Sequence, residues 1–309
     1  MNAYLGFDTS NYTTSIAGYI PETDHLCQIK KLLTVKEGEK GLRQNDAVFQ
    51  HIRQLPELAE QFLSGYPRIT KAVGASDRPT QQEGSYMPCF MIGNSTAQTV
   101  AATLGVPFYR FTHQQGHVAA ALYGTKHLDW LDKPFLAFHV SGGTTDALLV
   151  EPDAEEIIRC RLIAHSLDLK AGQLVDRVGG MLGLRFPAGP ALEELALQAV
   201  GNYRPRVRLE DGNCHLSGVE NQCKKMLDDG TPPEEVALFC LMNVHAVLQA
   251  MTQRLLQTYG NLPIVYAGGV MSNSILKEKL TAEFGGAFAP PVYSADNAAG
   301  IAVLTSLRG

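Results

Sequence analysis

Two histidines, His113 and His117, stand four residues apart at the start of an alanine-rich stretch that spans residues 118–122. If this stretch is helical, the two imidazoles lie about 40° apart on one helix face, within reach of a single metal ion. Much later in the chain, Asp296 precedes a run of small residues and is expected to cap a helix. Two imidazoles and a carboxylate together suggest a bound metal.

Two glycine turns lie between these residues in the sequence. One contains Gly142 and Gly143 within the run Ser-Gly-Gly-Thr-Thr, and the other begins at Gly268 and Gly269. Glycine allows the backbone to come close to a ligand, and successive N–H groups in such a turn can bind an anion. The turns therefore suggest a nucleotide beside the metal, although the same residues would also suit ordinary hairpins of an α/β protein.

The segments around these residues predict an α/β protein with a duplicated unit. Residues 4–17 and 135–150 each have the pattern of a strand, a small polar turn and a second strand. This repetition favours a duplicated domain with a ligand in the cleft between the copies. The boundary is expected near residues 128–134, which gives domains of 1–128 and 129–309. Helices are expected over 46–62, 95–104, 174–184, 190–200, 232–259, 273–284 and 297–307, and strands over 72–75, 106–111 and 262–267.

The bulk composition excludes several classes of protein. The 309 residues are 45% hydrophobic and 18% charged, enough for a packed core and two domains. Six scattered cysteines without a CxxC pair, and a start without a leader pattern, favour a reduced cytoplasmic protein without a membrane span. The net charge of −5 gives no overall electrostatic signal for nucleic acid, so a partner would have to help supply a basic surface. Arginines near 204–208 could form a modest basic patch, although a solvated loop is the favoured interpretation.

A set of short motifs follows in order along nearly the whole chain. They are Asp8-Thr9-Ser10, His113-x-x-x-His117, Ser141-Gly142-Gly143-Thr144-Thr145, Asp168 to Arg177, Leu216-Ser217-Gly218, Gly268 to Asn273 and Asp296-Asn297. In this order they resemble the family of tRNA threonylcarbamoyladenosine synthases, also known as O-sialoglycoprotein endopeptidases. That family belongs to the actin, sugar kinase and Hsp70 superfamily. The resemblance implies a duplicated actin-like two-domain fold with a ligand cleft between the domains.

The resemblance also implies roles for individual residues. The implied metal ligands, for iron or zinc, are His113, His117 and Asp296, and the implied catalytic residues are Asp8, Thr9 and Ser10. The implied nucleotide-binding residues are Ser141, Gly142, Gly143, Gly172, Asp176, Gly189, Gly268, Gly269 and Asn273. Among these, the turn at Gly142 would meet phosphates, and Asp176 would hold the ribose, because a carboxylate can accept hydrogen bonds from two hydroxyls.

The implied activity is transfer of a threonylcarbamoyl group from an adenylate to the amino group of a tRNA adenosine. The implied nucleotide is ATP, ADP or threonylcarbamoyl-AMP, held beside one divalent metal ion that acts as a Lewis acid. The expected partners are tRNA, reached through partner proteins, and a second subunit in a homodimer or in a heterodimer with a paralogue. No membrane is expected.

Several positions depart from the family pattern and keep other functions open. Tyr12 stands where the family has a carboxylate on the acceptor side, Thr144 replaces a histidine, and Glu220 lies in a usually basic region. A non-catalytic or altered-acceptor nucleotide-binding paralogue is therefore the main alternative. A sugar-kinase-like phosphotransferase lacks an obvious acidic base in the first glycine turn. A metalloprotease is disfavoured because no HExxH motif is present.

Overall fold

The structure is a computed structural model that describes residues 2–10, 12–35, 42–66 and 69–309. The chain divides into two compact units. The first comprises Met1–Lys133, Glu151–Cys160 and Val292–Gly309, and the second comprises Pro134–Val150 and Arg161–Pro291. The C-terminal segment thus belongs to the first unit. The domain limits of 1–128 and 129–309 stay a prediction.

The first unit is built on a five-stranded sheet with the strand order β3-β2-β1-β4-β5. The strands are β1 (Ala3–Thr9), β2 (Thr13–Ile20), β3 (His25–Leu32), β4 (Thr70–Arg78) and β5 (Phe108–Thr112). Its helices are α1 (Gln44–Ser64), α2 (Phe90–Leu104), α3 (His113–Thr125) and the C-terminal α10 (Ala299–Arg308). Strands β1, β2 and β3 pair antiparallel, whereas β4 and β5 run parallel to β1. Every residue of β1 is buried.

Two glycines allow α10 to pack closely inside the first unit. A Cβ atom on Gly300 would lie 1.8 Å from the carbonyl oxygen of Gly116 in α3, and one on Gly6 would lie 2.4 Å from the backbone nitrogen of Ala302. Neither position can hold a side chain without moving backbone. The start of α10 is therefore held against both α3 and β1, next to the residues that precede it.

The second unit has its own five-stranded sheet, in the order β10-β9-β6-β7-β8. The strands are β6 (Phe135–Val140), β7 (Thr145–Asp153), β8 (Ile157–His165), β9 (Ile264–Ala267) and β10 (Ala287–Phe288). The helices are α4 (Ala171–Met181), α5 (Gly189–Ala196), α6 (Ser217–Asp228), α7 (Pro233–Tyr259) and α8 (Ser274–Phe284), and a short α9 (Pro291–Ser294) follows. Strands β6 and β7 form the expected hairpin, and β9 runs parallel to β6. Buried Phe138 and Tyr266 stack across that parallel pair.

Helix α7 is the one helix of the described residues that is long and apolar enough to cross a membrane, judged by length and composition alone. Its most apolar window has a mean hydropathy of 1.3, but 72% of that window is buried inside the protein. Residues such as Cys240, Val244 and Met251 are fully buried in the core of the second unit. Burial of this kind is typical of a core helix.

Both predicted strand-turn-strand segments and the α/β class are confirmed. The sequence did not predict β3, β8 or α6. Most side chains of β3 are exposed or half-buried, so the strand lacks the apolar alternation by which strands are recognised. Helix α2 begins at Phe90, earlier than the predicted residue 95, because no capping side chain marks its start.

Candidate functional site

The two histidines of the predicted metal site lie on the first turns of α3. Thr112 caps this helix: its hydroxyl accepts a hydrogen bond from the backbone N–H of Gln115 at 3.1 Å, and the Gln115 side chain accepts one from the Thr112 N–H at 2.7 Å. This capping box fixes the start of the helix. The Nε2 atoms of His113 and His117 then lie 2.9 Å apart. The i, i+4 geometry expected from the sequence is confirmed.

Asp296 reaches the same point from the loop before α10. Its Oδ1 lies 3.6 Å from Nε2 of His113 and 3.3 Å from Nε2 of His117. One ligand atom from each of the three residues lies within 4.8 Å of the others. The prediction that Asp296 caps the following helix is wrong: α10 starts after Ala298 without a side-chain cap. The side chain of Asn297, before it, accepts a hydrogen bond from the Ala299 N–H at 2.9 Å. The Asp296 carboxylate instead faces the histidines.

Asp8, a predicted catalytic residue, holds one of the histidines. Its Oδ1 lies 2.8 Å from Nδ1 of His113 and accepts a hydrogen bond from the Ser76 hydroxyl at 2.5 Å. A carboxylate at Nδ1 favours a proton on that nitrogen, which makes Nε2, beside His117 and Asp296, the atom that would bind a metal after losing its own proton. Asp8 is 1% exposed, and its Oδ2 has no hydrogen-bond partner among the described residues. Such a buried carboxylate oxygen favours positive charge nearby.

The other two residues of the predicted catalytic run have distinct contacts. The Ser10 hydroxyl donates to Oδ2 of Asp296 at 3.0 Å, and the Thr13 hydroxyl lies 3.5 Å from the same oxygen. The Thr9 hydroxyl instead donates to the carbonyl of Cys89 at 2.8 Å and accepts from the Gly93 N–H at 3.0 Å. Ser10 therefore orients a metal ligand, whereas Thr9 joins β1 to α2.

The electrostatics of the triad favour a cation. Burial opposes the charged form of His113, but the carboxylates of Asp8 and Asp296 outweigh it and raise the pKa of His113 to about 10. Burial likewise opposes ionisation of Asp296, yet His113 and His117 hold the pKa of that carboxyl well below its usual range. Two imidazole nitrogens and a carboxylate oxygen that face one point suit one divalent transition metal. The donor set thus fits the implied ion.

The second unit contains a cavity of about 500 Å³ that includes most of the predicted nucleotide-binding residues. Such a volume suits a small-molecule ligand. The predicted residues that line it are Gly142, Gly172, Asp176, Gly189, Gly269 and Asn273. The remaining three, Ser141, Gly143 and Gly268, lie in the same turns but are not among its lining residues. The cavity is also lined by residues to which no nucleotide contact was assigned from the sequence: Val175, Pro187, Pro190, Glu193, Leu241, Val270 and Ser272.

Two of the glycines are required by close packing of backbone. A Cβ atom on Gly172, at the start of α4, would lie 2.5 Å from the backbone nitrogen of Gly142. One on Gly268 would lie 2.2 Å from the carbonyl oxygen of Val140, and Gly268 has a φ of 100° that L side chains rarely adopt. These glycines bring α4 and the end of β9 against the turn between β6 and β7. In contrast, a Cβ on Gly142 would meet no other atom within 4 Å.

The turn after β6 is closed by its own serine. The Ser141 hydroxyl accepts hydrogen bonds from the N–H groups of Gly143 and Thr144, both at 3.2 Å, and lies 2.9 Å from the Thr144 hydroxyl. The N–H of Gly143, a residue expected to meet phosphate, is therefore engaged within the turn, and so is that of Thr144. Of this turn, Gly142 is the residue that lines the cavity. A phosphate would have to displace the hydroxyl of Ser141 to reach the other two.

The polar side chains that line the cavity already use some of their atoms in hydrogen bonds within the protein. Asp176 accepts from the Ala188 N–H at 2.8 Å through Oδ1, and Asn273 caps α8 by accepting from the Leu276 N–H at 3.1 Å. Glu193 accepts from the backbone and the hydroxyl of Ser274. Each side chain keeps a further polar atom, Oδ2 of Asp176 and the amide nitrogen of Asn273 among them, that can serve a ligand. Glu193 could not be identified from the sequence, because a glutamate on a helix is usually a solvent-exposed residue and no motif includes it.

Comparisons with known proteins show the family to which the chain belongs. A sequence model of the family "TsaD: tRNA N6-adenosine threonylcarbamoyltransferase" matches residues 46–303. The chain belongs to this family. A TsaD relative from Methanopyrus kandleri is 30% identical over 271 residues, covering 85% of this chain and 75% of the relative. One from Thermus thermophilus is 28% identical over 307 residues, covering 97% of this chain and 90% of the relative.

Solved structures show the fold of this TsaD family member at larger distance. HypF from T. kodakarensis superposes with a TM-score of 0.62 at 11% identity, covering all of this chain and 47% of the HypF chain. Component A of the Acidaminococcus fermentans (R)-2-hydroxyglutaryl-CoA dehydratase covers both chains fully, with a TM-score of 0.55 and 14% identity. A ROK family glucokinase from Streptomyces griseus has a TM-score of 0.53 at 11% identity. The expected actin-like α/β fold is confirmed.

Proposed function

We propose that this chain is a metal- and nucleotide-dependent threonylcarbamoyl transferase that acts on a tRNA adenosine. Membership of the TsaD family supports the class of reaction and its place in tRNA processing. The single observation that carries the metal dependence is the convergence of His113, His117 and Asp296, whose ligand atoms lie within 4.8 Å of one another. The proposal that this chain transfers a threonylcarbamoyl group therefore requires that these three residues bind a metal ion.

The proposed reaction joins the N6 atom of the adenosine to the carbamoyl carbon of threonylcarbamoyl-AMP. A C–N bond forms, the bond between the carbamoyl carbon and the phosphate oxygen breaks, AMP leaves, and one proton from N6 passes to solvent. A divalent iron or zinc ion, when bound, polarises a carbonyl as a Lewis acid. Asp8 and Ser10 act indirectly, because they hold His113 and Asp296 in position.

The cavity of the second unit supplies the proposed site for the adenylate, or for ATP or ADP. Its lining combines apolar contacts from Val175, Leu241 and Val270 with the carboxylate of Asp176. Apolar walls suit a nucleobase, and a carboxylate can accept hydrogen bonds from ribose hydroxyls. The close packing of Gly172 and Gly268 supports this assignment, because it keeps the backbone near the cavity without side chains that would fill it.

The decisive experiment supplies purified protein with threonylcarbamoyl adenylate and a tRNA that carries an adenosine next to the anticodon. We expect little threonylcarbamoyladenosine from the chain alone, more when a partner protein that holds the tRNA is added, and none in either case with His113→Ala/His117→Ala. Asp176→Ala should weaken ATP and ADP binding by about 1.5–3 kcal/mol, as for hydrogen bonds to charged groups. Product formation at an equal rate in the double histidine variant would refute the metal-dependent proposal.

Tyr12 favours a second candidate function, a paralogue with an altered acceptor or without transfer. This side chain is 41% exposed and stands where the family has a carboxylate on the acceptor side. The two functions differ in outcome. Consumption of the adenylate without modified tRNA would indicate an altered acceptor, and nucleotide binding without turnover would indicate a regulatory protein that acts with a partner.

The proposed function also includes a cellular location, partner proteins and an oligomeric state. TsaD relatives are named for a reaction on tRNA, which supports a cytoplasmic location. The net charge of −5 supports help from partner proteins in holding the tRNA. Size-exclusion chromatography with light scattering would distinguish a monomer from the proposed homodimer, and co-expression with a paralogue would test the heterodimer.

A further inference from the structure

Three arginines form a regular row on the surface of the second unit. Arg204, Arg206 and Arg208 lie in the segment between α5 and α6, and all three are exposed. Within the described residues, no hydrogen bond or ion pair engages any of their guanidinium groups. We call these three residues the arginine row.

The alternation along this segment explains why the three arginines share one side. The intervening Val207 and Leu209 pack against the hydrophobic core of the second unit, and Tyr203 stacks edge-to-face on Phe239 of α7 with ring centroids 5.4 Å apart. Inward and outward residues alternate as in an extended chain, where side chains two apart on the same side are roughly 6.6 Å from one another. Pro205 restricts the backbone to extended conformations.

The inner side of the segment is firmly anchored. Glu235, at the start of α7, accepts hydrogen bonds from the N–H groups of Val200 and Gly201, both at 3.0 Å, and from the Tyr203 hydroxyl at 2.9 Å. The Glu235 carboxylate is therefore hydrogen-bonded to the inner side of the segment and does not pair with the arginines. At the far end, Glu210 bonds to His215 at 3.1 Å. These contacts anchor the segment on its inner side, and the three arginine side chains are exposed.

We propose that the arginine row binds consecutive phosphates of an RNA strand. Guanidinium groups pair with phosphate oxygens through two parallel hydrogen bonds, and a row at regular spacing suits a regular polyanion. The segment that carries the row packs on the second turn of α7 through the Tyr203–Phe239 contact. This inference rests on the proposed function, which supplies tRNA as the RNA.

The test measures binding of fluorescently labelled tRNA by anisotropy over a series of salt concentrations. The variant Arg204→Gln/Arg206→Gln/Arg208→Gln should weaken binding by roughly tenfold or more and lower the slope of log K against log salt by roughly 2 to 3, since each lost phosphate contact removes close to one unit. Arg206→Gln alone should lower the slope by roughly 0.7 to 0.9. The single change keeps the inference testable if the triple variant does not fold.

A matched control removes the same charge elsewhere on the second unit. Arg254→Gln/Lys277→Gln/Lys279→Gln changes three exposed cations, and Arg254 lies roughly 22 Å along α7 from Phe239. This control should leave the slope unchanged, and both triple variants should keep the ATP affinity of the wild type. Equal slopes for the wild type and the arginine variant, or equal losses in both triple variants, would overturn the inference.

The outcomes separate this inference from the proposed function. If the wild type modifies tRNA but the arginine variant binds tRNA equally well, the inference is wrong and the proposed function stands. If the wild type binds tRNA through the row but forms no product, the inference stands and the transfer activity is wrong. Absence of tRNA binding by the wild type, or equally tight binding of polyglutamate to the row, would refute the RNA assignment.

Discussion

The candidate metal triad and the nucleotide cavity are built from different parts of the polypeptide. In the first unit, side chains do the positioning: Asp8 holds His113, and Ser10 holds Asp296. In the second unit, backbone does it, because Gly172 and Gly268 allow segments to approach within distances that no Cβ atom permits. The candidate metal centre thus depends on the identity and position of a few side chains, whereas the cavity depends on positions that carry no side chain.

The largest expected effect separates the two regions outright. Replacing His113 and His117 by Ala should abolish metal binding, because two of the three ligands are lost. ATP affinity in the cavity should stay within about twofold, since no lining residue changes. Elemental analysis and calorimetry measure the two effects. The surface variant His25→Ala/His127→Ala should retain its metal, and equal metal in the two double variants would show that the site lies elsewhere.

The second test alters backbone in the other region. Gly268→Ala should lower the free energy of unfolding by about 3 kcal/mol or more, through the clash with Val140 and the strain of a positive φ. It should also abolish nucleotide binding while a soluble fraction still binds metal. Urea unfolding and ATP calorimetry check both statements.

Gly180 provides the matched control for this glycine. A Cβ atom there meets nothing within 4 Å, and Gly180 lies in the last turn of α4. Gly180→Ala should therefore raise stability by about 0.5–1 kcal/mol, since glycine is a poor helix former. If the two alanine variants were equally stable, close packing at Gly268 would not explain the glycine.

The third test concerns the residue that holds a metal ligand without binding the metal. Asp8→Asn should lower metal affinity by about 10–100-fold, because the acceptor for the Nδ1 proton of His113 loses its charge. A chelator competition gives the affinity, and the visible spectrum of the cobalt-substituted protein reports the ligand geometry. Ser76→Ala removes a single hydrogen bond to Asp8 and should have a smaller effect. If the spectrum and the metal affinity of Asp8→Asn were unchanged, Asp8 would contribute to packing only and would not support His113 as a metal ligand.

The sequence predicted the grouping of His113, His117 and Asp296 better than the contacts that hold these three residues. The His113 and His117 spacing is local and follows from helix geometry, so it could be recognised without a structure. The contacts of Asp8 with Ser76 and His113 join residues 68 and 105 positions apart, and no local pattern encodes them. The cap assigned to Asp296 was wrong because its carboxylate faces the histidines, and the neighbouring Asn297 accepts the hydrogen bond from the Ala299 N–H instead.

The cavity was predicted in part for a related reason. Glycines such as Gly172 and Gly269 mark places where backbone approaches a ligand, and these residues do line the cavity. Leu241 could not be identified, because a buried leucine in a core helix looks the same whether it faces a cavity or a neighbouring strand. The arginine row was visible in the sequence, but the inward packing of Tyr203 and Val207 became visible only in the structure.

The smallest expected effect concerns an acid that supports the second unit without lining the cavity. Asp168 accepts hydrogen bonds from the N–H groups of Leu216 and Ser217 and from the Ser217 hydroxyl at 2.5 Å. Burial opposes its ionisation, but these donors outweigh it and lower its pKa to about 2. Because the folded pKa lies below the ordinary value near 3.8, the carboxylate stabilises the fold above about pH 4. That stabilisation is lost as the pH falls toward 2.

Asp168→Asn should therefore lower the free energy of unfolding at pH 7 by about 1–2 kcal/mol and flatten its decline between pH 4 and pH 2. Urea unfolding at several pH values measures both effects. Asp146 is the matched control, because burial raises the pKa of its carboxyl and the charge should oppose folding. Asp146→Asn should leave stability at pH 7 unchanged or higher. If both variants lost stability equally, local packing rather than charge would explain the role of Asp168. The second unit would then depend on close backbone packing and not on charged side chains.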